Sequence, residues 1–269
     1  MTVRLRPEPR PIITLTTDFG QQDGYVGAMQ GVILNICPAA TIVNISHDIP
    51  PQQVRTAAFV LYQAFSYYPA HTVHCVVVDP GVGSKRRAVA VRTSHARLVG
   101  PATGVFSLAL AARGVNVLEA VTLTNPDYQL ASISATFHGR DIFAPAAAHI
   151  AGGTPLSKFG PSAINLVRFD EGDAASQSSE TSRIIHIDHF GNLILDLTGR
   201  DLDDPEQVTI IIGDREIRSL SYTFADVQEG ELLAYTGSTR GHIEIAVRNG
   251  NAARQLGLEV GDTVVVKRG

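Results

Sequence analysis

The sequence predicts an α/β amino-terminal domain, with a mostly parallel sheet covered by helices, followed by a smaller all-β barrel domain. Three observations predict it. Apolar β-branched runs alternate with segments of helical periodicity as far as about Ala151. Beyond Gly152 the texture changes to short alternating runs separated by turns. Between these regions lies a polar, acidic, serine-rich stretch, Phe169 to Glu180, that reads as an exposed linker. The expected boundaries are 11–168 for the α/β domain, 169–182 for the linker and 183–269 for the barrel.

In order, Pro11 opens a strand over Ile12–Thr17, and a helix follows from Tyr25 to about Ile36 with Asp23 placed to cap it. Gly27 and Gly31, one turn apart, are expected to let that helix pack close to the sheet, and Pro38 ends it. A strand over Thr41–Ile45 and a helix from Val54 to about Phe65 come next, with Ala57, Ala58, Leu61 and Phe65 on one face. Val76, Val77 and Val78 read as a buried central strand. Ala88–Arg92 and Ala96–Gly100 read as a hairpin, Val105 to about Ala112 as a helix, and Val117–Val121 as another strand. Thr136–Asp141 reads as a polar loop in which Asp141 caps an Ala-rich helix to about Ala151. The carboxyl-terminal strands are expected over 183–188, 193–197, 208–212, 216–219, 232–235, 242–247 and 263–267. Gly213-Asp214 and Gly261-Asp262 supply turns between some of them.

Composition excludes several classes. With 269 residues and 44% hydrophobic content, the chain is long enough for two domains with real cores. A net charge of −4 gives no sign of a nucleic-acid or anionic-membrane surface. Arg4, Arg6 and Arg10 are followed by no apolar segment, so no signal peptide is expected. No apolar run approaches the roughly 18 residues of a membrane span. Cys37 and Cys75 form no CxxC and read as reduced core thiols of a cytoplasmic protein.

Chemistry is expected where the central strand ends. Asp79 closes it, and Pro80, Gly81 and Gly83 force a turn that brings Arg86 back within reach. Open α/β sheets place their chemistry at such carboxyl ends. The pair reads equally as a salt bridge that closes a loop. The turn lacks the GxxxxGK[ST] spacing of a nucleotide-triphosphate loop. Asp18 and Asp23 flank a glycine after the first strand; carboxylates there can take a ribose diol or an ammonium group, or serve only as turn former and helix cap. His138 precedes a helix and reads as a functional imidazole or as a buried or capping one. His186, Asp188 and His189 do not assemble a metal site, because alternate strand residues face opposite ways. The turns at 188–192 and 237–241 are rich in donors and acceptors, as ordinary hairpins or as one shared binding edge.

Taken together, Thr16–Gly20, Val78–Gly83, Phe137–Asp141, Asp188–Asn192 and Gly237-Ser238 resemble, in order and spacing, the S-adenosyl-L-methionine hydroxide adenosyltransferases, relatives of the fluorinase and chlorinase. The likeness runs from about Ile12 to about Lys267. It implies hydrolysis of S-adenosyl-L-methionine to adenosine and L-methionine without cofactor or metal. It implies a homotrimer with substrate between the first domain of one subunit and the second domain of its neighbour. The family's catalytic set falls on Asp79, Arg86 and His138, and its ribose-binding acid on Asp18. The methionine end falls on Asp23, Asp188, Ser238, Thr239 and Arg240, and an adenine-facing asparagine on Asn192. Halogenating relatives carry aromatic residues where this chain has Asp79 and near Gln52, which argues against halide as nucleophile.

The expected chemistry follows. A sulfonium leaves as a neutral thioether and needs no acid. Water, with a pKa of about 15.7, is the difficult partner. Asp79 and Arg86 are expected to fix it, with His138 or Asp79 taking its proton. The alternatives are halide-dependent adenosyl transfer and a non-catalytic binder of the same ligand.

Overall fold

The computed structural model describes residues 10–169, 180–202, 204 and 207–267. Contacts divide the chain after Phe169 into two compact units. Most of the expected linker, 170–179, lies outside the described residues.

Among the described residues, the first unit carries six strands: β1 (Ile12–Thr17), β2 (Thr41–Ser46), β3 (Val73–Val77), β4 (Ala88–Thr93), β5 (Arg97–Pro101) and β6 (Val117–Thr122). Their order is β2-β1-β3-β5-β4-β6. The sheet is mixed. β2, β1, β3 and β5 run parallel, whereas β4 is antiparallel to β5 and to β6. The expected hairpin, turning at Thr93–Arg97, sets β4 against both of its neighbours, so the mostly parallel sheet is mixed on that side.

Among the described residues, four α-helices accompany the sheet: α1 (Tyr25–Ile36), α2 (Val54–Ala64), α3 (Ser107–Ala111) and α4 (Ala144–Ala151). Alternation along β3 sorts the core. Val73, Cys75 and Val77 join Met29 and Ile33 of α1 and Ala144, Ala147 and Ala148 of α4 in one cluster. Val76 and Val78 join Ala57 and Leu61 of α2 and Ala109 and Leu110 of α3 in another. Both cysteines are free and buried, and burial pushes the Cys75 thiol up to about 12.

Several local expectations change. Asp23 does not cap α1; Gly24 holds the N-cap position, without a side-chain cap. Gly27 and Gly31 lie on the exposed side of α1, and a Cβ at either would meet nothing within 4 Å. The apolar residues Val26, Met29 and Ile33 decide which side is buried, and the glycines fall outside that stripe. Asp141 does not cap α4 either. It sits inside a π-helical turn, Gly139–Phe143, that starts before the expected helix.

The second unit is a seven-stranded antiparallel sheet in the order β10-β9-β13-β7-β8-β12-β11, whose outer strands approach each other to make a nearly closed barrel. Its strands are β7 (Thr181–Ile187), β8 (Leu193–Thr198), β9 (Thr209–Ile212), β10 (Arg215–Arg218), β11 (Leu232–Thr236), β12 (His242–Val247) and β13 (Thr263–Lys267). Ile184, Leu195, Ile210, Ile245 and Val264 fill its interior. A short helix, α5 (Ala252–Leu256), was not expected from the alternating pattern. Asn251 caps it by accepting from Arg254 N, and Gly257 ends it at φ +65°.

Candidate active site

In the first sheet β1 lies between β2 and β3, so the connections leaving the β1 region diverge in opposite directions. This is the switch point at which doubly wound sheets open a crevice beyond their carboxyl ends. Asp18 follows β1 and Asp79 follows β3, at the carboxyl ends of two neighbouring parallel strands.

The turn after Asp79 is closely specified. Val82 N donates to Asp79 O at 3.2 Å, and Ser84 N donates to Gly81 O at 3.0 Å. A Cβ on Gly81 would come within 2.9 Å of Arg86 Cγ. Gly83 has φ +77°, and a Cβ there would stand 2.6 Å from Ala135 O. Glycine is therefore required at both positions, once by the returning arginine and once by the neighbouring loop.

Arg86 joins the other two groups. Its Nε donates to both Asp79 oxygens at 2.9 Å, and its Nη2 donates to Asp79 Oδ2 at 2.5 Å. The same Nη2 lies 2.6 Å from His138 Nδ1. The side chains of Arg86 and Asp79 are only 11% and 5% exposed, so solvent screens this pair weakly. The guanidinium also lies over the buried Phe143 ring, 5.2 Å from its centroid. Guanidinium only donates, so His138 Nδ1 must be the acceptor and the neutral ring carries its proton on Nε2. Burial, and then the charge of Arg86, hold the His138 pKa below its ordinary value.

Asp18 is held from the opposite side. Gln52, in the left-handed region at φ +65°, donates its N–H to Asp18 Oδ2 at 2.8 Å. Burial raises the Asp18 pKa, and the charge of Asp79 adds to that rise. Behind it, Thr17 Oγ1 and His47 Nδ1 are 2.8 Å apart, and Gly20 N donates to His47 O at 2.8 Å. Phe19, Tyr25 and Phe137 form a three-ring cluster next to these groups, with centroids 5.2–6.0 Å apart. Asp23 is exposed in the loop before α1.

The remaining candidates belong to the barrel. Asp188 organises its own turn: Oδ1 accepts from Phe190 N and Asn192 N at 2.9 and 2.8 Å, and Oδ2 accepts from Asn192 Nδ2 at 2.8 Å. Ser238, Thr239 and Arg240 form the β11–β12 turn, with Arg240 at φ +51°. Strand pairing places these two turns toward opposite ends of β8, near Leu193 and near Thr198, so they do not form one edge of neighbouring turns. Between them lies buried Glu244, which accepts from Tyr235 Oη at 2.6 Å. Burial raises the pKa of both, and the charge of Asp188 contributes. His186 is a core histidine, lowered by burial to about 4. Among the described residues, no group of three or more His, Cys, Asp or Glu is arranged to hold a metal ion.

Sequence reasoning missed the Gln52, Thr17–His47, Arg140–Asp141 and Tyr235–Glu244 contacts. No local signal marks any of them: alternation in His242–Val247 puts Glu244 opposite the core residues Ile243 and Ile245, where a carboxylate is ordinarily solvated.

Fold and site define a two-domain protein, α/β then β-barrel, with a carboxylate, a guanidinium and an imidazole in one hydrogen-bonded chain at the switch point of its first domain. The family model of the S-adenosyl-L-methionine hydroxide adenosyltransferase N-terminal domain matches residues 13–160, and that of the C-terminal domain matches 182–265. The chain is 43% identical to an (R)-S-adenosyl-L-methionine hydrolase of Salinispora tropica, over 97% of this chain and 99% of the relative. It is 38% identical to one from Thermus thermophilus, over 94% and 97%. A fluorinase of Nocardia brasiliensis is 29% identical over 97% and 98%. A crystal structure of an uncharacterized conserved protein from Thermotoga maritima superposes with a TM-score of 0.86 at 33% identity, covering 95% of this chain and all of that one. This chain belongs to the S-adenosyl-L-methionine hydroxide adenosyltransferase family.

Proposed function

We propose that the protein hydrolyses S-adenosyl-L-methionine to adenosine and L-methionine, by in-line attack of water at C5′ on the face opposite the sulfonium. The observation that carries this reading is Arg86, which joins Asp79 and His138 in one chain beside Asp18.

In the reaction the water oxygen forms a bond to C5′, and the C5′–S pair returns to sulfur as methionine leaves. The water proton must then go to a base. His138 is poorly suited to that role. Its Nδ1 is engaged by Arg86, its Nε2 already bears hydrogen, and burial disfavours the imidazolium. Asp79 is the proposed acceptor. Its oxygens keep lone pairs beyond those taken by Arg86, and it stands in the same chain. His138 then fixes the Arg86 fork, and its Nε2–H is a donor for the attacking water or the ribose. Asp18 takes the ribose hydroxyls.

Charge supports water over halide. Asp18 and Asp79 set two carboxylates against one guanidinium, and His138 is neutral, so the crevice favours a sulfonium cation and disfavours an incoming anion. The higher identity to the hydrolases than to the fluorinase points the same way. The sulfonium sulfur is a stereocentre, and the relatives' names specify (R), so that epimer is the first substrate to test. Asp23, Asp188, Ser238, Thr239 and Arg240 are assigned to the methionine end and Asn192 to adenine by the family likeness. That likeness also supports a cytoplasmic homotrimer with sites between subunits, which light scattering tests. Among the described residues, no helix is long and apolar enough to cross a membrane.

The deciding experiment is chromatography of the purified protein with each sulfonium epimer, with and without chloride. Adenosine and methionine in equal amounts, unaffected by chloride, are expected. Halogenated adenosine would replace this reading with adenosyl transfer to halide. Bound but unaltered substrate would replace it with a binding protein.

A further inference from the structure

The Arg140–Asp141 pair plays no part in the chemistry above, yet its geometry is unusual. Asp141 is fully buried, with 0% exposure. Its counter-charge comes from the preceding residue: Arg140 Nε donates to Asp141 Oδ1 at 2.6 Å and Nη2 donates to Oδ2 at 3.2 Å. Adjacent side chains on an α-helix do not face each other. Here the π-helical turn Gly139–Phe143 winds more loosely, and the two side chains meet. The pair and the π turn therefore depend on one another.

That turn begins at His138, which is its N-cap. Its winding sets where the imidazole points, and Nδ1 must reach Arg86 Nη2 at 2.6 Å. Asp141 also holds a second segment. Its Oδ2 accepts from Ser134 N at 2.7 Å, and its backbone O accepts from Leu130 N at 2.9 Å. The next residue, Ala135, puts its carbonyl against Gly83, inside the turn that carries Asp79 to Arg86. One buried carboxylate thus ties the segment holding the Asp79–Arg86 turn to the segment aiming His138. Arg140 in turn lies over Phe137, 4.9 Å from the ring centroid.

We propose that Asp141, neutralised by Arg140, is the positioning residue of the Asp79–Arg86–His138 chain: it fixes the π turn and so the contact between His138 and Arg86. This rests on the hydrolytic reading for its kinetic consequence, but not for its geometric one.

The test uses the full-length protein. Asp141→Asn keeps an acceptor for Ser134 N–H and loses the charge that holds the Arg140 fork; Arg140→Gln removes the fork from its partly exposed side. Each is assayed for adenosine release, and the His138 ring nitrogens are followed by nitrogen-15 NMR, assigned by their loss in His138→Gln. In the unsubstituted protein Nδ1 should appear as a hydrogen-bonded acceptor and Nε2 as protonated. Both variants should lose the bonded Nδ1 signature and about tenfold in kcat, with KM within about twofold, as expected when an aligned group is displaced. A kcat within twofold of the unsubstituted protein together with unchanged ring-nitrogen shifts would overturn the proposal, and so would a change in KM alone. If Asp141→Asn does not fold, Arg140→Gln decides by the same two readouts. If the unsubstituted protein releases no adenosine, the hydrolytic reading fails while the ring-nitrogen signals still decide the positioning role.

Discussion

Replacing Asp79 by Asn tests the centre of the mechanism. The side chain keeps its shape and one acceptor oxygen. It loses the second acceptor and all of its charge, and its amide now faces Arg86 Nε, which bonds both Asp79 oxygens, donor against donor. Two effects should follow, and they can be separated. Arg86 is 11% exposed, so an uncompensated guanidinium there cannot be fully relieved by solvent. Breaking one side of a pair this buried costs about 3–5 kcal/mol. At roughly 2–4 °C per kcal/mol for a unit of this size, the first unit should melt on the order of 6–20 °C lower. The second effect is on rate. Loss of a positioned proton acceptor typically costs about 10²–10⁴-fold. Adenosine release by Asp79→Asn, measured well below its melting temperature, should therefore fall at least about a hundredfold. Binding by calorimetry should stay within a few-fold, because Asp18 is still held by Gln52. A variant that folds, binds and turns over within threefold of the unsubstituted protein would refute the assignment of Asp79 as acceptor.

Two further predictions follow from the same geometry. Asp18→Asn keeps the oxygen that accepts from Gln52 N but loses one strong acceptor for a diol, so KM should rise about tenfold or more with a smaller change in kcat, read from initial rates. Stability should fall in mild acid. His74 and His186 are each lowered by burial to about 4, from an ordinary 6.5. Above the ordinary value both folded and unfolded chains hold these rings neutral. Below it the unfolded chain takes the proton first, so stability is lost as pH falls from about 6.5 toward 4. His74→Gln should flatten that loss, followed by thermal melts across the window; an unchanged pH slope would count against His74 as its source.

Much of the fold was legible locally. The runs Ile12–Thr17 and Val76–Val78 declare strands because neighbouring apolar β-branched residues favour an extended buried backbone, and the second strand begins earlier, at Val73. The Asp79–Arg86 closure was legible from Pro80, Gly81 and Gly83, turn residues that bring the chain back on itself. Gly27 and Gly31 were misread because small size says nothing about which side of a helix is buried. The capping roles expected of Asp23 and Asp141 failed because a helix start depends on hydrogen bonds that begin one or two residues away. The reversal between Ala88–Arg92 and Ala96–Gly100 was legible too, and it sets β4 antiparallel to both of its neighbours.

The amino-acid order by itself determined the alternation of strand and helix, the change of texture past Gly152 and the acidic end of the central strand. Tertiary structure decided what meets what. Arg86 and His138 are 52 positions apart, and Gln52 and Asp18 are 34 apart. No periodicity spans such separations; strand order and register bring these groups together, and those are set by the whole sheet at once. The proton on His138 Nε2, and with it the choice of Asp79 as proposed base, exists only because that long-range contact forces the imidazole to accept.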